Sequence, residues 1–176
     1  MNLPVESFIG SSVINKSLCD DILQWIETAD STTRDDNIVQ GKQYSLNKNP
    51  DLFNRYHEEL ANSISKYMDK YPEVALIDFN GGEEETYIQS YAPGQSYSQE
   101  HCERQKLTQA KRMGVFMTYL TDAEEGGTSF KYQKVTTPCK KGLTLLFPSD
   151  WTHTHRGEKS NQYKAIVTGW LNLSNS

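Results

Sequence analysis

The sequence has few of the features that mark membrane-embedded, secreted or repetitive proteins. Its 176 residues contain no apolar run long enough to cross a bilayer, and the chain begins without the basic start and apolar core of a signal peptide. Cysteine is scarce, with three residues and no CxxC pair: Cys19, Cys102 and Cys139. This odd, sparse set predicts free thiols in a reducing compartment rather than a disulfide framework. We therefore expect a cytoplasmic protein with no membrane partner.

Positive charge is scarce in the first half of the chain. Residues 1–90 carry 7 Lys and Arg against 16 Asp and Glu, whereas residues 91–176 carry 11 against 7. The acidic front half and the absence of a basic, aromatic groove argue against nucleic acid as a partner. The positive back half suits a small dianionic ligand, although two ordinary solvated surfaces would give the same counts.

Two stretches in the first part of the chain have helical periodicity. The first spans residues 17–29, with Asn15 or Ser17 as its cap. The second begins at Asn49-Pro50 and holds one apolar face as far as residue 71. Residues 31–49 lie between them and lack clear periodicity, which predicts either a flap over a site or an ordinary surface loop.

From residue 74 onward the pattern changes to short strands separated by Gly and Pro turns. We expect strands at residues 75–79, 86–91, 97–103, 113–120, 128–132, 133–137, 143–147 and 163–171. Helices followed by about eight short strands predict an α+β fold whose β part is a jelly roll. The expected organisation is a single domain of residues 1–176, with 1–73 as mainly helical support and 74–176 as the jelly-roll core.

Two short motifs that are far apart in sequence carry metal-ligand residue types. His101 and Glu103 are two positions apart, so on an extended strand their side chains share a face. A third ligand comes from the segment around His155, where His153 shares the same face if the segment is extended. Two imidazoles and one carboxylate on one side of a metal form the facial triad of non-haem Fe(II) oxygenases, which leaves coordination positions open.

The surroundings of these residues occur in a characteristic order. A strand–turn–strand leads from Tyr91 into His101, and the later elements are Tyr119-Leu120, Gly126-Gly127-Thr128-Ser129-Phe130, Lys141 to Pro148, His155-Arg156-Gly157, and a strand from Tyr163-Lys164 to Trp170. In this order the set resembles the Fe(II)/2-oxoglutarate-dependent dioxygenase superfamily. Within it the set resembles the prolyl 4-hydroxylase-like group, in particular its small bacterial and phage members. The resemblance covers roughly the last half of the chain and implies a double-stranded β-helix (jelly roll) with N-terminal supporting helices.

The resemblance implies a role for several residues at matching positions. His101, Glu103 and His155 match the three metal ligands, although Glu103 stands where the family usually has Asp. Lys164 matches the basic residue that pairs with the far carboxylate of 2-oxoglutarate, and Tyr91 matches a tyrosine that hydrogen-bonds the same carboxylate.

Two threonines and one ambiguity complete the expected site. Thr118 and Thr168 lie on neighbouring strands and are expected to line the co-substrate pocket. The nine-position spacing from His155 to Lys164 and the Arg-Gly that follows His155 favour it over His153 as the distal ligand. His153 would then be a neighbour of the metal site. The resemblance implies no catalytic side chain beyond the metal ligands.

The implied cofactors are Fe(II), 2-oxoglutarate as co-substrate and O2, with ascorbate as a reductant. The implied reaction hydroxylates an unactivated C–H bond and releases succinate and CO2. A prolyl residue of a peptide or protein is the leading substrate. The same chemistry on a free amino acid or small metabolite is one alternative, and a non-catalytic jelly roll that binds a metal or ligand is another. The oligomeric state is left open.

Overall fold

The structure, a computed structural model, describes residues 3–35, 40–81 and 84–174, and it has two helices packed on antiparallel sheets. The helices are α1 (Lys16–Ile26) and α2 (Pro50–Lys70). The strands are β1 (Gly10–Val13), β2 (Thr32–Asp35), β3 (Gln40–Ser45), β4 (Phe79–Asn80), β5 (Tyr87–Tyr91), β6 (Arg112–Tyr119), β7 (Thr128–Phe130), β8 (Val135–Thr136), β9 (Leu143–Pro148), β10 (His155–Gly157) and β11 (Lys164–Leu173). The predicted α+β class, with N-terminal helices and antiparallel sheets, is confirmed.

The strands form one large and one small sheet. The large sheet has the order β1-β9-β6-β11-β5-β3-β2, with β4 paired to the end of β11, and the small sheet has the order β10-β7-β8. Apolar side chains occupy part of the space between the sheets, and the Phe130 ring of the small sheet meets the Phe147 ring of the large sheet edge-on, with centroids 4.9 Å apart. The two sheets therefore share one core.

The two helices cover the outer face of the large sheet. The apolar stripe of α2, which includes Leu52, Tyr56 and Leu60, is buried in the same cluster as Phe116 of β6 and Val167 of β11. Side chains alternate along a strand, so one set of residues in β6 and β11 faces the helices and the other set faces the small sheet. This alternation decides which residues can reach a site inside the jelly roll.

The helix predictions are close to the observed bounds. Asn49 caps α2, because its Oδ1 accepts a hydrogen bond from the Leu52 N–H at 3.2 Å. Asn15, rather than Ser17, caps α1 by accepting from the Ser17 N–H. No helix in the described part of the chain is both long enough and apolar enough to span a bilayer.

Several short elements differ from the sequence-based expectation. The stretch 31–49 contains β2 and β3. These two strands lie at one edge of the large sheet and carry polar residues, so the sequence does not show the apolar alternation of a buried strand. Residues 36–39 of this stretch lie outside the described part. The expected strand 75–79 forms only at its last residue, where β4 begins, and its first two residues belong to a 3-10 helix, Pro72–Leu76. The expected strand 97–103 is irregular and pairs only through isolated bridges, and β10, three residues long, was too short to predict.

Residues 1–73 contribute more than helical support. They supply β1, which pairs with β9 at one side of the large sheet, and the β2–β3 hairpin, which pairs with β5 at the other. The N-terminal part of the chain is thus built into the same sheet as the residues that follow it.

Gly169 of β11 lies directly under the ring of Phe116, and an added Cβ would sit 2.3 Å from Phe116 Cζ. Because that ring is fully buried under α2, we expect Gly169→Ala to lower the free energy of unfolding by about 1–3 kcal/mol through overpacking. Urea unfolding measures this. Gly114→Ala, whose Cβ would meet nothing closer than 3.4 Å, should lower the free energy of unfolding less. Adding Phe116→Leu to the Gly169→Ala protein should recover part of the lost stability. A Gly169→Ala protein as stable as the wild type would contradict the packing described here.

Candidate active site

An antiparallel backbone bridge brings two histidines side by side. The His101 N–H donates to the His155 carbonyl at 3.0 Å, and the His155 N–H donates to the His101 carbonyl at 2.9 Å. Residues directly opposite each other in such a pair hold their side chains on the same face. The two imidazole rings accordingly lie with their centroids 4.4 Å apart.

Glu103 completes a three-residue group at this bridge. Its backbone N–H donates to the Ser149 carbonyl at 3.0 Å, which fixes where the side chain leaves the backbone. Its Oε1 lies 3.1 Å from His101 Nε2 and 3.7 Å from His155 Nε2. The three ligand atoms lie within 4.8 Å of one another, and no other group of this kind occurs in residues 3–35, 40–81 and 84–174.

Backbone carbonyls fix which nitrogen of each histidine carries the proton. His101 Nδ1 lies 2.9 Å from the Gln99 carbonyl, and His155 Nδ1 lies 2.9 Å from the His153 carbonyl. A carbonyl can only accept, so each Nδ1 must be the N–H donor. In the neutral ring of each histidine the lone pair is therefore on Nε2, the nitrogen that faces Glu103 and can bind a metal.

The charges of this group leave a place for a cation. Burial, reinforced by the neighbouring His101, lowers the pKa of His155 to about 4, so its Nε2 carries a lone pair near neutral pH. Burial raises the pKa of the Glu103 carboxyl, but hydrogen bonding and positive charge from His101, with smaller contributions from His155 and Trp170, lower it to about 2. A lone pair and a carboxylate oxygen repel each other unless a cation lies between them. Two imidazole nitrogens and one carboxylate oxygen are a donor set that fits Fe(II).

The group lies in the wall of an open cavity of about 370 Å³ between the two sheets. The cavity is lined by inward-facing residues of β5, β6 and β11, by part of the β2–β3 hairpin and by the segment before β6. Its size is in the range of small-molecule and cofactor sites.

Lys164 is a buried cation in the wall of this cavity. Its side chain is 3% exposed, and Nζ donates to the carbonyls of Gly126 and Glu158 at 3.0 and 2.7 Å. Burial lowers the pKa of Lys164 to about 8, with Cys139 and Glu158 acting in the opposite direction. Two of its three N–H donors are used, so one remains for a ligand in the cavity.

Tyr91 and Thr168 also line the cavity. Tyr91 pairs with Lys164 in the β5–β11 register, its ring lies 5.2 Å from Lys164 Nζ, and its hydroxyl donates to Gln89 Oε1 at 2.6 Å. The Thr168 hydroxyl donates to the Phe116 carbonyl at 3.2 Å. These two residues lie where a co-substrate in the cavity could contact them.

Thr118 differs from the expectation, because it faces the helices instead of the cavity. Its hydroxyl lies 2.9 Å from the Tyr56 hydroxyl and 2.8 Å from that of Thr144. Strand alternation explains the difference, since the neighbours Met117 and Tyr119 line the cavity. A correct assignment of the inner face of β6 would have identified Tyr119 in place of Thr118.

His153 is directed away from the ligand group. Residues 151–153 form a 3-10 turn, so the strand alternation that would align His153 with His155 does not apply. Its Nε2 lies 2.9 Å from the carbonyl of Ser7, near the N-terminus. Of the two histidines, His155 is the one that meets His101 and Glu103.

Two residues around Glu103 were not predicted as site residues from the sequence. Trp170 Nε1 donates to Glu103 Oε2 at 2.9 Å, and Arg112 Nη1 lies 3.6 Å from the same oxygen. A tryptophan on a strand and an arginine at a strand start are ordinary features of a sequence. Only the spatial proximity of β6 and β11 reveals that both reach the site.

Comparison with protein families identifies the class. The model of the 2OG-Fe(II) oxygenase superfamily matches residues 86–172, the part of the chain that contains the ligand group and Lys164. The chain belongs to this superfamily and is a 2-oxoglutarate-dependent oxygenase; Fe(II) and 2-oxoglutarate are the metal and co-substrate that the family and the His101–Glu103–His155 group imply. No curated protein sequence matches the chain.

Three solved structures that share this fold are prolyl hydroxylases of low sequence identity. A viral collagen prolyl hydroxylase from Paramecium Bursaria Chlorella virus-1, in complex with 2-oxoglutarate, is 17% identical, with 95% of this chain and 97% of that chain covered and a TM-score of 0.72. A Pseudomonas putida prolyl-4-hydroxylase is 15% identical, with 97% of each chain covered and a TM-score of 0.73. A Trichoplax adhaerens prolyl hydroxylase, in complex with a hypoxia inducible factor oxygen degradation domain peptide fragment, is 14% identical, with 93% and 83% covered and a TM-score of 0.70. These matches establish the double-stranded β-helix fold.

Proposed function

We propose that this protein is an Fe(II)- and 2-oxoglutarate-dependent dioxygenase that hydroxylates a prolyl residue of a peptide or protein. His101, Glu103 and His155 are the metal ligands in this proposal. The observation that carries it is the convergence of two imidazole Nε2 atoms and one carboxylate oxygen within 4.8 Å, in a cavity that also holds the buried Lys164. Residues 1–176 act as one domain, with 1–73 supporting the jelly roll of residues 74–176.

The chain's own residues prepare the metal position. The carbonyls of Gln99 and His153 hold the two imidazoles by Nδ1, so neither ring must turn to present Nε2. The three ligands lie on one side of the position that a metal would occupy, so that position would stay accessible from the cavity. Bound there, iron with O2 supplies the oxidising power to hydroxylate an unactivated C–H bond while 2-oxoglutarate is converted to succinate and CO2, with ascorbate as a reductant.

Lys164 provides the other end of the co-substrate site. A buried ammonium with one unused donor is costly, and the far carboxylate of 2-oxoglutarate would satisfy it. Tyr91, beside Lys164 in the neighbouring strand, could turn its O–H from Gln89 to the same carboxylate, and Thr168 lies in the cavity wall. Together these residues would orient the co-substrate between the lysine and the metal ligands.

The substrate assignment draws its support from the structural neighbours. All three are prolyl hydroxylases by name, and the Trichoplax adhaerens protein is described with a peptide fragment bound. The cavity is partly open to the surface, which is compatible with approach of a peptide side chain from outside. A free amino acid or small metabolite is the competing substrate, favoured by the moderate volume of about 370 Å³.

The proposal predicts prolyl-dependent turnover. Purified protein with Fe(II), 2-oxoglutarate, O2 and ascorbate should convert a proline-rich peptide to a product one oxygen atom heavier, with one succinate formed per hydroxylation. Mass spectrometry and succinate measurement follow the two products. The same peptide with Ala in place of Pro is the control. Succinate formation stimulated by a free amino acid but by no peptide would favour the small-molecule alternative, and no turnover at all would favour a binding module.

One pair of variants distinguishes the proposed metal ligand His155 from its neighbour His153. We expect His155→Ala to weaken Ni(II) binding by more than about 100-fold, because it removes a ligand from a three-ligand site. His153→Ala should leave Ni(II) affinity nearly unchanged, since its Nε2 contacts Ser7 and not the ligand group. Isothermal titration calorimetry measures both. Equal losses in the two variants would contradict the assignment.

The lowered pKa of Lys164 predicts a pH-dependent affinity for 2-oxoglutarate. The ammonium is charged below about pH 8 and neutral above it, so binding to the metal-loaded protein should weaken up to about tenfold per pH unit as the pH rises through 8. Lys164→Arg keeps its charge throughout and should remove this dependence between pH 7 and 9. Anaerobic calorimetry gives the affinities. A wild-type affinity that does not change from pH 7 to 9 would count against Lys164 as the anchor.

A further inference from the structure

The two oxygens of Glu103 have different partners. Oε1 faces the two histidines, at 3.1 Å from His101 Nε2 and 3.7 Å from His155 Nε2. Oε2 points the other way, where it accepts a hydrogen bond from Trp170 Nε1 at 2.9 Å. Oε1 is thus on the inner side of the carboxylate, toward the histidines, and Oε2 is on the outer side, toward Trp170.

Arg112 holds the outer side in place. Its guanidinium carbon lies 3.5 Å from the centroid of the Trp170 ring, and Nη1 donates to the backbone carbonyl of Glu103 at 3.2 Å. The same guanidinium forms a two-pronged ion pair with Glu84, in which Nε lies 2.8 Å from Oε1 and Nη2 contacts Oε2. The Arg112 side chain is only 11% exposed, so stacking, ion pairing and the carbonyl contact together fix it.

This arrangement offsets two disadvantages of glutamate as a metal ligand. Glutamate has one more rotatable bond than aspartate, and a ligand with more freedom loses more entropy when it is fixed on a metal. A free second oxygen could also bind the metal and occupy a position that must stay open. Holding Oε2 on Trp170 removes both difficulties, because only Oε1 remains available to the histidine side.

We propose that Trp170 and Arg112, braced by Glu84, are positioning residues that make Glu103 a one-oxygen metal ligand. The inference rests on the proposed metal site, and it assigns these three residues a role that does not involve contact with the metal or the substrate. Trp170 supplies the hydrogen bond, Arg112 keeps the indole and the Glu103 backbone in place, and Glu84 keeps Arg112 in place.

The test is a double-mutant cycle on Ni(II) binding to the metal-free protein. Trp170→Phe keeps an aromatic ring but removes the N–H donor, and it should weaken Ni(II) binding by about 10-fold, the lower end of the effect of lost outer partners. In a Glu103→Ala background, where the two histidines alone bind, Trp170→Phe should change nothing. Trp25→Phe, in α1 and packed against the helix-side core, is the matched control and should match the wild type.

Two further variants keep the test decisive if Trp170→Phe does not fold. Arg112→Lys keeps the charge but cannot stack and pair bidentately at once, and Glu84→Gln removes the brace at a residue whose side chain is 32% exposed. Both should weaken Ni(II) binding only when Glu103 is present.

An unchanged affinity in all three variants, or an equal loss with and without Glu103, would overturn the positioning role. In either case the proposed function stands, provided that the wild type binds Ni(II) through His155. A wild type that does not bind Ni(II) would overturn the proposed function and the positioning role with it.

Discussion

The candidate site depends on the reciprocal pair of hydrogen bonds between the backbones of His101 and His155. One of these residues lies in an irregular segment and the other begins a three-residue strand, so little regular structure holds either in place. The bridge sets the two side chains on one face, and the carbonyls of Gln99 and His153 then orient the rings. Glu103 follows two residues later and is fixed by Ser149. Without the bridge, His155 would not meet His101 and Glu103, which lie more than fifty positions earlier in the chain.

The charged residues of the cavity are buried at a cost that the protein offsets in different ways. Lys164 is held by two backbone carbonyls, which solvate an ammonium but do not neutralise it. Glu103 is held by Trp170 and faces two imidazoles, which leaves a cation to be supplied from outside. A cavity with an unneutralised ammonium and a group fit for a cation suits a metal and a dianion bound together. This complementarity connects the fold to the chemistry of its superfamily.

The sequence was sufficient to locate much of this structure because its strongest signals are local. Capping by Asn49 and the apolar stripe of α2 predicted that helix, and the order of motifs from Tyr91 to Trp170 pointed to the group His101, Glu103 and His155. The failures arise where tertiary pairing decides. The polar hairpin of β2 and β3 becomes a strand pair only beside β5, and a 3-10 helix takes the first two residues of the strand expected at 75–79. Thr118 was misplaced by one position of strand alternation, and the contact of Trp170 with Glu103 crosses 67 residues of sequence.

The most direct test of this account is an anaerobic titration of Fe(II) into the protein in the presence of 2-oxoglutarate, followed by visible absorption. Chelation of the metal by the keto acid gives a charge-transfer band that neither component shows alone. The account predicts a band that saturates at one Fe(II) per chain and is absent from a folded His101→Ala protein. A folded wild-type protein that develops no band, or a band that persists unchanged in His101→Ala, would contradict the assignment of His101, Glu103 and His155 as the site of this chemistry.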